Sequence, residues 1–305
     1  MISRQGDPGS DQQAAAEILE DGWIHVGQIE THYSYAGNRG PTVLLLHGGG
    51  PGMSGAAGFG PLFEPIAAKG LRAIAPDQLS MGYTDVRPHA WPVNGFQSLI
   101  DHVAGFIEAL DLDDLCLVGH SQGSYVAARY ALDYPERVRS LLLLSSGTIG
   151  SAMGVPNPEN RGVKAVKAFD GTLDGLRAMM AATVGTAGAD GRDMDAMSKQ
   201  LFAAVDRPGV ADARAAFESA RDRLYASPEE LERFSLRDRL PKLAIPARFV
   251  WGKEDLIAPL AMGRELAELL PQIPFTFVDD CGHNVQYGRP EIVLQELSAL
   301  LDKED

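Results

Sequence analysis

Leu115-Cys116-Leu117-Val118-Gly119-His120-Ser121-Gln122-Gly123 decides how this chain is read. Four apolar residues run straight into Gly-His-Ser-Gln-Gly, and a helical pattern begins at once after it. A strand that turns sharply into a helix through G-x-S-x-G holds its serine on a strained backbone with the hydroxyl clear of the sheet. The glycines two residues to either side let neighbouring segments pass close by. Ser121 is therefore the candidate nucleophile.

The flanks of this motif repeat its logic. Upstream, Trp23 to Ile29 and Thr31 to Ala36 alternate as an antiparallel hairpin at a sheet edge, and Thr42 to Leu46 is a short unbroken apolar run closed by glycines. A helix from about Leu62 to Lys69, a strand Leu71 to Ala75 and a helix from about Asn94 to Leu110 lead up to the motif. Beyond it come a helix from Gln122 to Asp133 and a strand Val138 to Leu144. The strand signal then disappears until Ala247 to Trp251, and the interval carries helical segments such as Val163 to Phe169 and Leu173 to Val184. A helix from Leu260 to Leu270, a strand Phe275 to Val278 and a helix from Glu291 to Leu301 close the chain. This alternation predicts a mostly parallel sheet with helices on both faces. The expected division is a tail over residues 1–20, a core over 21–146 and 242–305, and a helical lid over 147–241.

A serine hydroxyl needs a base to take its proton, and the base needs a partner to hold one tautomer. In this architecture the acid precedes the histidine, each in the loop after a late strand. Of seven histidines, only His283 lies in a glycine-bearing loop after the last strand, in Asp279-Asp280-Cys281-Gly282-His283. The expected acid is Asp255 in Trp251-Gly252-Lys253-Glu254-Asp255, with Glu254, Asp279 and Asp280 as competitors. The run His47-Gly48-Gly49-Gly50-Pro51-Gly52 is suited to turn backbone amides inward. Gly49, with Gly48 and Gly50 close behind, is expected to join the amide of Gln122 as an oxyanion donor. The run lacks the G-K-[S/T] ending of a phosphate-binding loop.

Composition narrows the partners. The chain has 305 residues, 45% apolar and 22% charged, enough for one large core. Its 27 basic and 41 acidic residues give a net charge of −14, which repels nucleic acid and anionic membranes. Two cysteines far apart indicate no disulfide framework, and no cluster of His, Cys and acidic residues has metal-ligand spacing. No metal or cofactor is expected. The N-terminal stretch lacks the apolar core of a signal peptide, and no run approaches the roughly 18 apolar residues that span a bilayer. A cytoplasmic location and a small-molecule substrate are the expectations.

HGGGPG, GHSQG, ALDYPERVRSLLLLSSG at 131–147, WGKED and CGHNVQ together resemble the meta-cleavage product hydrolases of the α/β-hydrolase superfamily, from about residue 22 onward. The resemblance implies the α/β-hydrolase fold, a helical lid, a homo-oligomer, no cofactor, and cleavage of a carbon–carbon bond in vinylogous 1,5-diketones made by ring fission of catechols. It carries a triad onto Ser121, Asp255 and His283, and oxyanion donors onto Gly49 and Gln122. The family places asparagine before the nucleophile, tryptophan after the histidine, a second asparagine after the oxyanion loop and an arginine in the lid. This chain has His120, Asn284, Gly58 and, by the lid alignment, Leu201. Gly48, Gly50, His120, Asn284, Met179 and Phe202 are the candidate substrate contacts, and Met180, Phe169 and Phe217 are further apolar candidates. Arg161, Arg177, Arg192, Arg207, Arg214, Arg221 and Arg223 are candidates to rebuild an anion clamp.

Because each lost polar contact removes ~1.5–3 kcal/mol, these departures set hydrolysis of a carboxylic ester or lactone with an apolar or aromatic portion first. Carbon–carbon cleavage stands second. A proline-iminopeptidase-like peptidase and a non-catalytic ligand receptor follow.

Overall fold

The computed structural model describes residues 19–184 and 193–302. The expected tail falls almost wholly outside these residues, as does Arg192.

In chain order the elements are β1 (Glu20–Val26), β2 (Ile29–Ala36), β3 (Thr42–Leu46), α1 (Gly55–Ala68), β4 (Arg72–Pro76), α2 (Phe96–Ala109), β5 (Leu115–His120), α3 (Gln122–Asp133) and β6 (Val138–Leu144). Among the described residues six helices then intervene: α4 (Gly147–Ala152), α5 (Arg161–Lys167), α6 (Leu173–Val184), α7 (Met194–Val205), α8 (Val210–Ala226) and α9 (Pro228–Phe234). The chain ends with β7 (Ala247–Gly252), α10 (Leu260–Leu269), β8 (Phe275–Val278), α11 (Val285–Gly288) and α12 (Pro290–Leu301).

Among the described residues eight strands form one sheet in the order β1-β2-β4-β3-β5-β6-β7-β8. The β1–β2 and β2–β4 pairings are antiparallel and the rest are parallel. The central strands β3 and β5 are buried along their whole length, as continuous apolar runs require when helices cover both faces. One apolar cluster joins β5 and β6 to α2, α3 and α10, and a second joins the opposite face to α1 and α12.

Several bounds shift by a few residues, such as the helix expected over Val163 to Phe169, which spans Arg161–Lys167, and two changes have a clear physical reason. The hairpin turns two residues earlier than predicted, at Gly27 (φ 59°) and Gln28, so that Val26 pairs with Ile29. A positive φ at the first loop position suits the tight two-residue turns that match strand twist. Helix α1 starts at Gly55, seven residues before the predicted Leu62, with Ser54 accepting a hydrogen bond from the Ala57 amide. Gly58, Gly60, Pro61 and Pro65 hide this helix from a propensity reading. Burial of Phe59, Leu62, Phe63 and Ile66 drives it nonetheless, with a break at Phe59.

The junction of α3 with β3 sets the floor of the molecule's upper edge. A Cβ on Gly123 would overlap the Leu46 carbonyl oxygen and stand 2.6 Å from the His47 oxygen. Only glycine lets the start of α3 press against the end of β3, which brings residues 47–50 beside residues 121–122. Gly123→Ala is expected to lower stability by about 2–4 kcal/mol, read from the urea midpoint at unchanged slope. A loss below about 0.5 kcal/mol would contradict this packing.

Among the described residues no helix is long and apolar enough to cross a membrane. Cys116 and Cys281 are both buried.

Candidate active site

The polypeptide reverses direction between β5 and α3 at Ser121, whose φ of 53° and ψ of −117° are costly for a non-glycine residue. The surroundings hold it there. The Ser121 amide donates to the Leu144 carbonyl (2.9 Å), and the Ser121 carbonyl accepts from Ser146 Oγ (2.7 Å) and the Ser124 amide (3.1 Å). Ser146 Oγ also caps α4 by accepting from the Ile149 amide. These contacts offset a strain of order 1–3 kcal/mol.

Asp255 and His283 meet across the ends of β7 and β8. His283 Nδ1–H donates to Asp255 Oδ2 at 2.7 Å, and both residues are buried. The other oxygen, Oδ1, accepts from the amides of Ile257 and Ala258, each at 2.8 Å. The carboxylate is thus aimed by its own loop, and the tautomer it selects leaves His283 Nε2 bare. The competing carboxylates are engaged elsewhere: Glu254 accepts from the Cys281 amide at 2.8 Å, and Asp279 pairs with Lys253 at 2.6 Å. Asp280 occupies a left-handed position, φ 50°, in the tight turn before the histidine.

The glycine loop is organised by His47. Its Nδ1–H donates to the Gly48 carbonyl (2.8 Å) and its Nε2 accepts from the Gln78 amide (3.0 Å). Burial lowers the His47 pKa, so the ring keeps the neutral form that this pattern of one donor and one acceptor requires. Gln78 Nε2 donates to the His47 carbonyl. With the Gly48 carbonyl pinned, the loop passes beside Ser121: a Cβ on Gly48 would lie 3.2 Å from Ser121 Cβ, and one on Gly49 would lie 2.6 Å from Gln122 Oε1. Gln122 is the first residue of α3, and first-turn amides have no partner within their helix. Residues 48 and 49 thus run directly against Ser121 and Gln122.

Asp77 fixes the next segment. Its buried carboxylate accepts from the amides of Gly55 (2.6 Å) and Tyr83 (2.7 Å) and from His32 Nδ1–H (2.8 Å), tying α1 to the loop after β4. Sequence reading passed over Asp77, Gln78 and Ser146. The one visible signal was an aspartate directly after a strand-ending proline.

The remaining candidates separate. His120 lies beside His283. Gly50 accepts from the Met53 amide in a turn, and Asn284 is the N-cap of α11. Met179, with Leu176, Met180 and Leu201, forms an apolar cluster on which Phe202, Phe169, Met53 and Ala57 pack. Phe217 packs instead in the core, against Phe96. Helix α7 closes on the glycine loop, since a Cβ on Gly52 (φ 73°) would overlap the Leu201 carbonyl. Gly58 is as crowded, for a Cβ there would stand 2.7 Å from His47 Cβ, and its carbonyl takes Gln286 Nε2 at 3.0 Å. No side chain fits at residue 58 on this backbone.

Several arginines of the helical insertion have partners of their own. Arg177 pairs with Asp174 and Asp195, and Arg214 pairs with Glu218 while lying over the Phe169 ring. Arg223 donates to the Val93 carbonyl, and Arg207 donates to the Gly82 carbonyl while facing the Tyr83 ring. Among the described residues no group of three or more His, Cys, Asp or Glu side chains is disposed to hold a metal ion.

A mostly parallel sheet with its sharp turn after β5 and a histidine–aspartate pair at its late strands defines an α/β enzyme of hydrolytic design. The match of residues 41–290 to the alpha/beta hydrolase fold family model places the chain in that family, and it belongs there. The 2-hydroxy-6-oxononadienedioate/2-hydroxy-6-oxononatrienedioate hydrolase of Paraburkholderia xenovorans (strain LB400) is 32% identical to it over 272 residues, covering 87% of this chain and 88% of that protein. A hydrolase of the same description from Dechloromonas aromatica (strain RCB) is 29% identical over 262 residues, 85% of this chain and 86% of that one. Among solved structures, the 2-hydroxy-6-oxo-6-phenylhexa-2,4-dienoate hydrolase from Rhodococcus sp. strain RHA1 superposes with a TM-score of 0.78 at 21% identity, over 93% of this chain and 99% of that one. The chain is a hydrolase that resembles the meta-cleavage product hydrolases.

Proposed function

We propose that the protein hydrolyses a carbon–carbon bond in a vinylogous 1,5-diketone of the ring-fission type, with Ser121 as nucleophile, His283 as base and Asp255 as the acid that orients it. The observation that carries the reading is the 32% identity to a relative of that named activity over 87% of the chain. This reverses the order expected from sequence, in which ester cleavage stood first.

In its keto form such a substrate carries a ketone carbon whose bond to the neighbouring CH₂ is the one to break. Ser121 Oγ adds to that carbon as His283 Nε2 takes its proton, and Asp255 stabilises the resulting imidazolium. The amides of Gly49 and Gln122 receive the oxyanion, a contribution of about 3–4 kcal/mol per lost donor in related chemistry. Collapse breaks the carbon–carbon bond, and its electron pair delocalises as a dienolate onto the 2-oxo group. The imidazolium returns the proton. Water, activated by His283, then cleaves the acyl-serine, so one water is consumed and a carboxylic acid and an enol are released.

Ester cleavage needs the same groups and differs in expelling an alkoxide. It remains the second reading because residues 58 and 201 offer no polar side chain where the resembled family has a grip on the dienoate. The two are separated by kcat/KM for a ring-fission dienoate against an aryl ester of the same acyl group. The dienoate is expected to be favoured by roughly 10²-fold, equivalent to about 2.7 kcal/mol in the transition state. An ester preference of that size would instead establish the second reading.

A further inference from the structure

His120, the last residue of β5 and the neighbour of Ser121, has contacts that the proposed chemistry does not use. It is 3% exposed. Its Nε2 lies 3.0 Å from the backbone carbonyl of His283, and the two rings sit 4.8 Å apart at 57°. A carbonyl accepts only, so Nε2 must carry the proton and Nδ1 must be bare. That Nδ1 is buried without a hydrogen-bond partner and faces the glycine loop, 3.0 Å from where a Cβ on Gly48 would stand.

We propose that His120 is a positioning residue for the base. Its Nε2–H holds the carbonyl of His283 while its ring supports Gly48, so that one side chain sets the nucleophile, the base loop and the oxyanion loop relative to one another. The inference rests on the roles proposed above for Ser121 and His283.

Three features make the ring suited to this. It is joined through one peptide bond to the residue whose strained conformation presents the hydroxyl, so the carbonyl of His283 is referenced to the nucleophile and not to a flexible loop. It lies opposite the Asp255 contact: Asp255 fixes the imidazole of His283 through Nδ1, and His120 fixes the backbone from which that imidazole springs. It also stays neutral, because burial first, and then the neighbouring His283 and His47 rings, push its pKa well below that of a free imidazole. A neutral brace lets His283 gain and lose a proton in each cycle without a competing titration beside it. The base loop is also tethered two residues earlier, where Glu254 accepts from the Cys281 amide and its own amide donates to the Cys281 carbonyl.

The test compares His120→Gln with His120→Met. Both lose the ring, and only glutamine retains an N–H donor at a similar reach. The readouts are the rate of Ser121 phosphonylation by a fluorophosphonate, the split of kcat and KM with the better of the two substrates above, and thermal midpoints. Glutamine is expected to stay within about 3-fold of wild type, while methionine slows phosphonylation and kcat by about 10-fold or more with KM changed less than 2-fold. Equal rates in the two variants, or a methionine defect confined to KM or to thermal stability, would overturn the proposal. Should neither variant fold, ¹⁵N-histidine NMR of the wild type at neutral pH decides: a protonated Nε2 and bare Nδ1 at His120 are expected, and the opposite tautomer sinks the proposal. A wild type inert to the fluorophosphonate defeats the underlying reading of Ser121 and His283, whereas a reactive wild type with indistinguishable variants defeats this inference alone.

Discussion

Ser121→Ala is expected to lower kcat on the preferred substrate by roughly 10³-fold or more, because removing a triad nucleophile leaves only binding and oxyanion contacts. The reason is chemical and local. Alanine has no oxygen to add to the ketone, while everything that shapes the turn is backbone or belongs to other residues: the amide bond to Leu144, the Ser146 hydroxyl on the residue 121 carbonyl, and the Gly48 contact. Substitution leaves these in place and keeps the same strained φ of 53°. Substrate affinity, measured by equilibrium binding, should therefore stay within a few-fold of wild type. A variant keeping more than a tenth of wild-type turnover would remove Ser121 from the chemistry.

Asp255→Asn should cost about as much, a fall in kcat of around 10³–10⁴-fold. In the native loop Oδ1 takes two backbone amides and Oδ2 takes the His283 Nδ1 proton, so both oxygens act as acceptors. A carboxamide has one acceptor and one donor. With its oxygen retained by Ile257 and Ala258, its NH₂ faces His283 and favours the imidazole tautomer protonated on Nε2. That tautomer cannot accept the serine proton. Fold and substrate binding should survive, because the side chain keeps its volume and its backbone contacts. If Asp255→Asn lost less than tenfold while Glu254→Gln lost most activity, the acid would be Glu254 and the roles assigned to this loop would be exchanged.

Legibility from sequence followed the range of the interaction involved. Strand β6, strand β8 and helix α3 were bounded to the residue, because an unbroken apolar run, or a helix started by G-x-S-x-G, is written in adjacent positions. Helix α1 was shortened, since its glycines and prolines argue locally against a helix that burial of Phe59, Leu62, Phe63 and Ile66 enforces. The acid was narrowed to four carboxylates, and only the partners of each, the His283 ring against the Cys281 amide or Lys253, tell them apart. Braces such as the His120 contact with His283 join positions 163 apart, and no local pattern encodes them. Substrate preference was the hardest to read. Ester and carbon–carbon cleavage share the same machinery, and the departures from the resembled family lie in contacts, at residues 58, 120, 201 and 284, whose backbone setting a sequence does not display.

The bond that breaks distinguishes the two hydrolytic reactions open to this site. Incubating the wild-type protein with a ring-fission dienoate in H₂¹⁸O, and identifying both products by mass spectrometry, tests it directly. Expected are loss of the dienoate chromophore, release of a carboxylic acid carrying one ¹⁸O and of the shortened enol fragment, and no such products with Ser121→Ala. An unchanged dienoate beside efficient turnover of the matched aryl ester would contradict carbon–carbon cleavage.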